Sequence, residues 1–250
     1  NANWRRYMRD FLLDLVEHSY DLGCIDLIKI TGTDKETSVD GLAEDKSVVL
    51  QAKFHAPVAD YIGTFGMPNL AKLKILLNIG EYKENAEISV KRQERNGENA
   101  PVGLHFKNVA GDFKNDYRFM VSEIVAEKLK GVKMKDVPWD IEFEPTNASI
   151  MRLKMQAQAN AEETTFQTKT EDGHLKFLFG DHSTHAGDFV FQHDVGGKLA
   201  KSWSWPVQQF IAIMNLNGDK TVKISDSGAA KITVDSGIAV YNYILPAQSK

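Results

Sequence analysis

Residues 221–246 read TVKISDSGAAKITVDSGIAVYNYILP, and this stretch decides the fold. Apolar and polar residues alternate along three short runs, which the dipeptides Ser227-Gly228 and Ser236-Gly237 separate. Alternation with a period of two is typical of a strand with one buried face, and glycine supplies the positive φ that a tight turn needs. The pattern predicts a three-stranded antiparallel meander. Its register is well specified, because a one-residue slip would expose the apolar residues.

The composition is that of a globular protein, with 42% apolar and 26% charged residues in 250. A chain of this length forms one large domain or two of ordinary size. The single cysteine, Cys24, excludes an internal disulfide and suits a reducing compartment. No apolar run approaches the roughly 18 residues that span a bilayer, so we expect a cytoplasmic protein without membrane contact. A net charge of -4 argues against binding nucleic acid by bulk charge.

The first half predicts helices and strands in turn. Apolar residues at helical spacing predict an amphipathic helix over residues 4–18, and the polar segment 33–46 predicts a loop. Pro57 is expected to open a helix that continues through Phe65. Residues 69–78 are either a second helical piece or its bent continuation. Strands are predicted at 22–31, 47–54, 86–92, 102–109 and 116–121.

The second half repeats this order in outline. The mixed, charged segment 122–138 predicts a linker between domains at 1–121 and 139–250. A helix is predicted over 147–159 with Asn147 as its cap. A hairpin, a strand, a proline-initiated helix and the closing meander follow it. Each half therefore reads helix, strands, proline-initiated helix, strands, which indicates an internal repeat and an α+β fold.

This order resembles the DNA polymerase sliding clamps, the family that includes the proliferating cell nuclear antigen. The closing segment is similar to the last strands of clamp subunits. The helix NASIMRLKMQAQA, the hairpin TFQTKTEDGHLKFLFGD, the strand FVFQ and the helix PVQQFIAIMN match the two-domain clamps of tailed phages element by element. The resemblance implies two similar clamp-type domains, each with antiparallel sheets outside and two helices on one face.

The function that the resemblance implies is that of a processivity factor. Three two-domain subunits would close a homotrimeric ring around duplex DNA and hold the replicative polymerase at high effective concentration. The implied partners are duplex DNA of any sequence, the replicative DNA polymerase, a clamp loader and further copies of the chain. The resemblance implies no catalytic residue, cofactor or metal. A phage-encoded clamp would work in the host cytoplasm.

The resemblance also implies that basic residues of the inner segments face the DNA. Residues 147–161 and 196–217 contain no Asp or Glu, although the whole chain is acidic. Helix geometry places Arg152 and Lys154 about 200° apart, so we expect the set to face DNA collectively. The candidate DNA-binding residues are Arg5, Arg6, Arg9, Lys72, Lys74, Arg152, Lys154, Lys198 and Lys201.

A partner-peptide pocket is the second site that the resemblance implies. Clamps bind short tails of polymerases and loaders in an apolar pocket beneath the interdomain linker and beside the C-terminal tail. An alternative is that the same residues only seal the domain junction. The candidates are Val132, Met134, Val137, Ile244, Leu245 and Pro246.

Two other functional classes compete with the clamp. Residues 180–194 gather three histidines and three aspartates, as a metal-dependent hydrolase would require. Ser, Thr and Gly interleave them as in an ordinary hairpin loop. The third hypothesis is a β-rich structural or virion protein whose repeat reflects duplication alone. The residues of the metal hypothesis are Asp181, His182, His185, Asp188, His193 and Asp194.

Overall fold

The computed structural model describes residues 2–131, 134 and 136–248, with side chains from Met8 onward. The chain divides into two compact units. Unit 1 comprises Asn1–Glu44, Leu50–Val132 and Ser236–Tyr241, and unit 2 comprises Asp45–Val49, Lys133–Asp235 and Asn242–Lys250. The domain boundaries predicted from the sequence, 1–121 and 139–250, stay a prediction.

Unit 1 contains two groups of antiparallel strands and, within the described residues, three α-helices. The helices are α1 (Ala2–Glu17), α2 (Leu70–Leu77) and α3 (Ser122–Lys128). The strands are β1 (Ile28–Gly32), β2 (Thr37–Leu42), β3 (Val49–Phe54), β4 (Gly63–Met67), β5 (Glu87–Arg95), β6 (Glu98–Lys107) and β7 (Lys114–Arg118). One group has the order β4-β1-β2-β3, and the other has the order β5-β6-β7.

Helix α1 is held to residues 236–241 by a buried polar cluster. The Ser236 Oγ and the Tyr241 hydroxyl both donate to Asp14 Oδ2, at 2.8 and 2.7 Å. The His18 ring stacks on Tyr241 with 4.2 Å between centroids. Because a buried carboxylate requires such donors, this cluster fixes α1 against a segment 227 residues away in the sequence.

Unit 2 contains the closing meander and a second group of strands. Its helices, within the described residues, are α4 (Asn147–Ala159) and α5 (Val207–Met214). The strands are β8 (Ile141–Phe143), β9 (Thr165–Glu171), β10 (His174–Gly180), β11 (Ala186–Gln192), β12 (Trp203–Pro206), β13 (Asp219–Ser225), β14 (Ala229–Asp235) and β15 (Ala239–Pro246), of which β15 belongs to unit 2 from Asn242 onward. One group has the order β12-β9-β10-β11, and the other has the order β15-β14-β13-β8.

Phenylalanine side chains fill the core of unit 2 between α5 and the β9–β11 strands. Phe177 stacks on Phe191 with 4.2 Å between centroids, and Phe166 meets Phe210 edge to face at 5.1 Å. All four are fully buried. These contacts arise because alternate residues of each strand point to the same face, and they fix α5 over the sheet.

The two units repeat one order of elements, as the sequence predicts. Helix α1 is followed by β1–β4, α2 and β5–β7, and helix α4 is followed by β9–β12, α5 and β13–β15. The spatial orders β4-β1-β2-β3 and β12-β9-β10-β11 also correspond. Helix α2 begins after its own cap, Asn69, so residues 69–78 hold a separate helix. The predicted meander is confirmed as β13, β14 and β15.

The helix predicted to begin at Pro57 is wrong. The backbone makes only a 3-10 turn at Ala59–Tyr61 and then extends into β4. Gly63 has a φ of 125°, which favours glycine. A Cβ at Gly66 would lie 2.8 Å from Val125 Cγ2, so this strand packs closely against α3. The close packing favours an extended chain over the helix that the apolar spacing predicts.

Two further predictions are wrong, at least in part. The polar loop predicted at 33–46 contains β2, whose residues alternate between buried and half-buried. The first part of the segment 122–138 is α3, which buries Val125, and its role as a linker stays a prediction. Thr146, not Asn147, caps α4. Among the described residues, every helix falls short of the length and apolarity that crossing a membrane requires.

Candidate nucleic-acid interface

Helix α4 carries two of the candidate DNA-binding residues. The Thr146 Oγ1 accepts from the Ser149 amide at 3.1 Å and so satisfies a donor at the helix start. Ile150 and Leu153 are buried, and α4 packs against both α5 and β11. Neither α4 nor α5 contains Asp or Glu. The helix pair therefore presents no carboxylate that would repel a phosphate backbone.

Two side chains of α4 reach strand β11. The Arg152 guanidinium donates to the Val190 carbonyl at 3.3 Å and lies 5.3 Å from the centre of the Phe189 ring. One turn later, the Gln156 amide donates to the Asp188 carbonyl at 3.1 Å. Arg152 is exposed to solvent, but its charged group is engaged within its own unit.

The rest of the α4 surface is less charged than the sequence indicates. Lys154 is half-buried. Met151 and Met155 are 55% and 59% exposed, so apolar side chains form much of the outer face of the helix. Basic groups are therefore sparse on this face, and we expect any contact with phosphates to be weak.

Lys198 and Lys201 lie on a loop before β12, further from α5 than the sequence indicates. Both are exposed, and β12 separates them from α5. The Asp226 carboxylate accepts from the amides of Ala200 and Lys201, at 2.7 and 3.2 Å. It also accepts from the Trp203 indole at 3.3 Å. Asp226 therefore holds the loop in one conformation. Sequence reasoning missed this role, because an aspartate in a turn has no feature that identifies its partners.

In unit 1, the candidate arginines lie on α1. The Arg9 guanidinium is half-buried and donates to the Leu77 carbonyl, at the last residue of α2, at 2.8 Å. A cation at this position also interacts favourably with the negative end of the helix dipole. Arg9 thus joins α1 to α2. The side chains of Arg5 and Arg6 lie outside the described residues, and their role stays a prediction.

The two candidate lysines of α2 differ in their surroundings. Lys72 is exposed in the first turn. Lys74 forms an ion pair with Asp21 at 2.6 Å and lies 5.7 Å from the centre of the Tyr20 ring. Lys72 is therefore the more accessible cation of this helix.

Known proteins match this chain in structure but not in sequence. No protein-family model matches it, and no curated protein matches it by sequence. The PCNA of A. fulgidus, solved with the C-terminal region of FEN-1 bound, superposes with a TM-score of 0.67 over 94% of this chain and 96% of that one. The PCNA from Thermococcus kodakaraensis gives a TM-score of 0.64 over 98% and 97%. The identities are 10% and 8%.

The chain has the PCNA clamp fold. The match extends over nearly the whole chain. It confirms the predicted α+β class and the resemblance to sliding clamps. The likeness to phage clamps in particular stays a prediction.

The clamp fold leaves the predicted peptide-pocket residues in different surroundings. Ile244 and Leu245 are buried within the described chain, whereas Pro246 is exposed. Met134 and Val137 are half-buried. Val132 lies outside the described residues. The pocket stays a prediction, and its accessible members among the described residues are Met134, Val137 and Pro246.

The histidine-rich segment is divided in this clamp fold: Asp181, His182 and His185 lie at the tip of the β10–β11 hairpin, and His193 and Asp194 follow the far end of β11. His182 and His185 are exposed, and Asp181 Oδ1 accepts from the Ser183 amide at 2.7 Å, as in an ordinary Asx turn. Within the described part of the chain, the one trio of potential metal ligands with donor atoms inside 4.8 Å is Asp14, Glu17 and His18. The hairpin tip therefore lacks the arrangement that the hydrolase hypothesis requires.

Proposed function

We propose that this chain is a DNA polymerase processivity factor that encircles duplex DNA and tethers the replicative polymerase. One observation carries the proposal: the clamp fold covers nearly the whole chain. The absence of acidic residues from α4 and α5 agrees with it. The mechanism involves no bond breakage, because the ring acts by staying on the DNA.

The internal repeat supports assembly into a ring. Among the described residues, β11, at one end of the order β12-β9-β10-β11, has only β10 as a neighbouring strand. The counterpart of β15 is β7, which likewise has only β6 there. Strands β11 and β7 are different edges, and pairing β11 of one copy with β7 of the next gives a head-to-tail interface that can close a ring. We propose a homotrimer.

The charge distribution supports loose contact with DNA. The chain carries a net charge of -4, yet α4 and α5 carry no acid. Lys72, Lys198 and Lys201 are exposed, and Lys154 is half-buried. We propose that these lysines, with Arg5 and Arg6, attract phosphates toward the hole. Arg9, Lys74 and Arg152 contribute less, because their charged groups already have protein partners. Few phosphate contacts leave the ring free to slide.

The protein partners follow from the same proposal. The A. fulgidus PCNA holds a C-terminal region of FEN-1. We propose that this chain holds similar tails of a polymerase and a clamp loader at the pocket that Met134, Val137 and Pro246 partly form. We expect it to act in the cytoplasm, which would be the host cytoplasm for a phage-encoded clamp.

The proposal is tested first by assembly. Light scattering behind a sizing column is expected to give a mass three times the 28.0 kDa of the chain at micromolar concentration. A monomer at every concentration would contradict the ring.

The second test is topological. Protein loaded onto primed circular DNA by its loader is expected to stay bound and to stimulate the polymerase. Linearising that DNA with a restriction enzyme is expected to release it, because a ring slides off a free end. Retention on linear DNA would indicate binding by contact instead of encirclement.

A further inference from the structure

The edge of β11 has a defined set of outward-facing backbone groups. In an antiparallel pair, alternate residues direct their N–H and C=O groups toward the partner strand. The Asp181 amide donates to the His185 carbonyl at 3.3 Å, and the register continues through Phe179↔Gly187 and Phe177↔Phe189. The odd-numbered residues of β11 therefore face β10. The even-numbered residues Asp188 and Val190 direct their carbonyls away from it.

Helix α4 binds both of these outward carbonyls. Arg152 donates to Val190 and Gln156 donates to Asp188, at 3.3 and 3.1 Å. The two donors are four residues apart on α4, and the two acceptors are two residues apart on β11. The two spacings match, since four residues of a helix rise about 6 Å and two residues of a strand about 6.8 Å. We call Arg152 and Gln156 the β11 clasp.

A glycine of β11 makes the clasp possible. A Cβ at Gly187 would lie 2.4 Å from Gln156 Oε1 and 2.9 Å from Asn160 Nδ2. Its φ is not in the left-handed region, so the backbone tolerates a side chain here. Glycine is therefore needed at position 187 because the Gln156 side chain approaches the backbone closely.

We infer that the β11 clasp opposes the addition of a strand from a second copy of this chain and so weakens ring closure. An incoming strand directs N–H groups at the carbonyls of Asp188 and Val190, which the clasp already occupies. A carbonyl can accept two hydrogen bonds, so the clasp weakens pairing without preventing it. The inference rests on the proposed ring and adds a determinant of how readily that ring opens.

The test compares the self-association of two double variants with that of the full chain. Arg152→Ala/Gln156→Ala removes the clasp and keeps residues with high helix propensity. We expect each interface to tighten about tenfold, or ~1.4 kcal/mol. Lys231→Ala/Gln158→Ala is the control, because it removes the same charge and one α4 glutamine outside the clasp. Sedimentation equilibrium without DNA gives the dissociation constants.

A third variant tests the clasp without substituting Arg152 or Gln156. Gly187→Ala is expected to displace the flexible end of Gln156. It should therefore strengthen self-association, as Arg152→Ala/Gln156→Ala does. Thermal unfolding of each variant shows whether it remains folded.

The outcomes distinguish failure of the clasp hypothesis from failure of the ring hypothesis. If the unmodified chain forms trimers and the clasp variant associates equally or more weakly, the clasp is overturned and the ring stands. If the unmodified chain is monomeric and the clasp variant assembles, the clasp is supported. If both stay monomeric at every concentration, the ring and the clasp are both overturned.

Discussion

At the scale of single residues, a basic side chain in the right segment is not always available to DNA. The sequence places Arg9 and Arg152 among the candidate contacts, but the Arg9 guanidinium binds the end of α2 and that of Arg152 binds β11. Helical periodicity gives the direction of a side chain from its own helix. It does not reveal the neighbouring backbone atoms that the side chain meets, so these partners could not be predicted.

Gly32 gives a prediction at this scale. A Cβ at this last residue of β1 would lie 1.9 Å from the Tyr61 carbonyl oxygen, and a backbone atom cannot move aside cheaply. We expect Gly32→Ala to lower the free energy of unfolding by about 2–3 kcal/mol. Urea denaturation measures the change. Gly80→Ala is the matched control, because nothing lies within 4 Å of a Cβ there; an equal loss in both variants would contradict the steric explanation.

At the scale of elements, the sequence predicts best where one pattern has one structural reading. The alternation in residues 221–246 correctly predicts β13–β15, and the helix at 147–159 matches α4. The spacing of Val58, Tyr61 and Phe65 also fits a helix, yet these residues lie in a turn and a strand. Packing of Gly66 against Val125 decides between the two. Such packing depends on residues far apart in the sequence and gives no local signal.

The loop that carries Lys198 and Lys201 gives a prediction at the element scale. Asp226 accepts two hydrogen bonds from its backbone and one from Trp203 at the start of β12. We expect Asp226→Ala to accelerate hydrogen exchange at the amides of Ala200 and Lys201 by about tenfold, because each bond contributes about 1 kcal/mol. Exchange mass spectrometry measures this change. Asp219→Ala, on the neighbouring strand β13, is expected to leave these amides protected. Unchanged exchange in Asp226→Ala would show that other contacts hold the loop.

At the scale of the whole molecule, the repeat of elements is the feature of the fold that the sequence predicts most directly. The order helix, four strands, helix, three strands occurs twice, and the sequence patterns alone already resemble a clamp. The edge strands that would join subunits in the proposed ring are harder to predict. Which strand lacks a neighbour depends on the spatial order of strands, and the sequence contains only their order along the chain.

The basic residues of both units give a prediction at this scale. We expect Lys72→Ala/Lys154→Ala/Lys198→Ala to weaken binding to duplex DNA equally for all sequences. The slope of log K against log salt should fall by about 0.9 for each phosphate that the variant no longer neutralises. Fluorescence anisotropy over a range of salt concentrations measures both quantities. Lys53→Ala/Lys91→Ala/Lys223→Ala, on strands, removes the same charge. An equal effect from that control would indicate net charge alone.

The place of residues 236–241 in unit 1 has a consequence for how the protein is made. The core of unit 1 includes Tyr241, whose hydroxyl binds Asp14 across 227 residues of sequence. The ribosome therefore synthesises nearly all of unit 2 before unit 1 can close. A nascent chain halted before this point leaves Asp14 of α1 without its donors Ser236 and Tyr241 and has no finished first unit. Only a chain translated past Tyr241 can complete unit 1, so we expect unfinished chains to be kept out of the proposed ring.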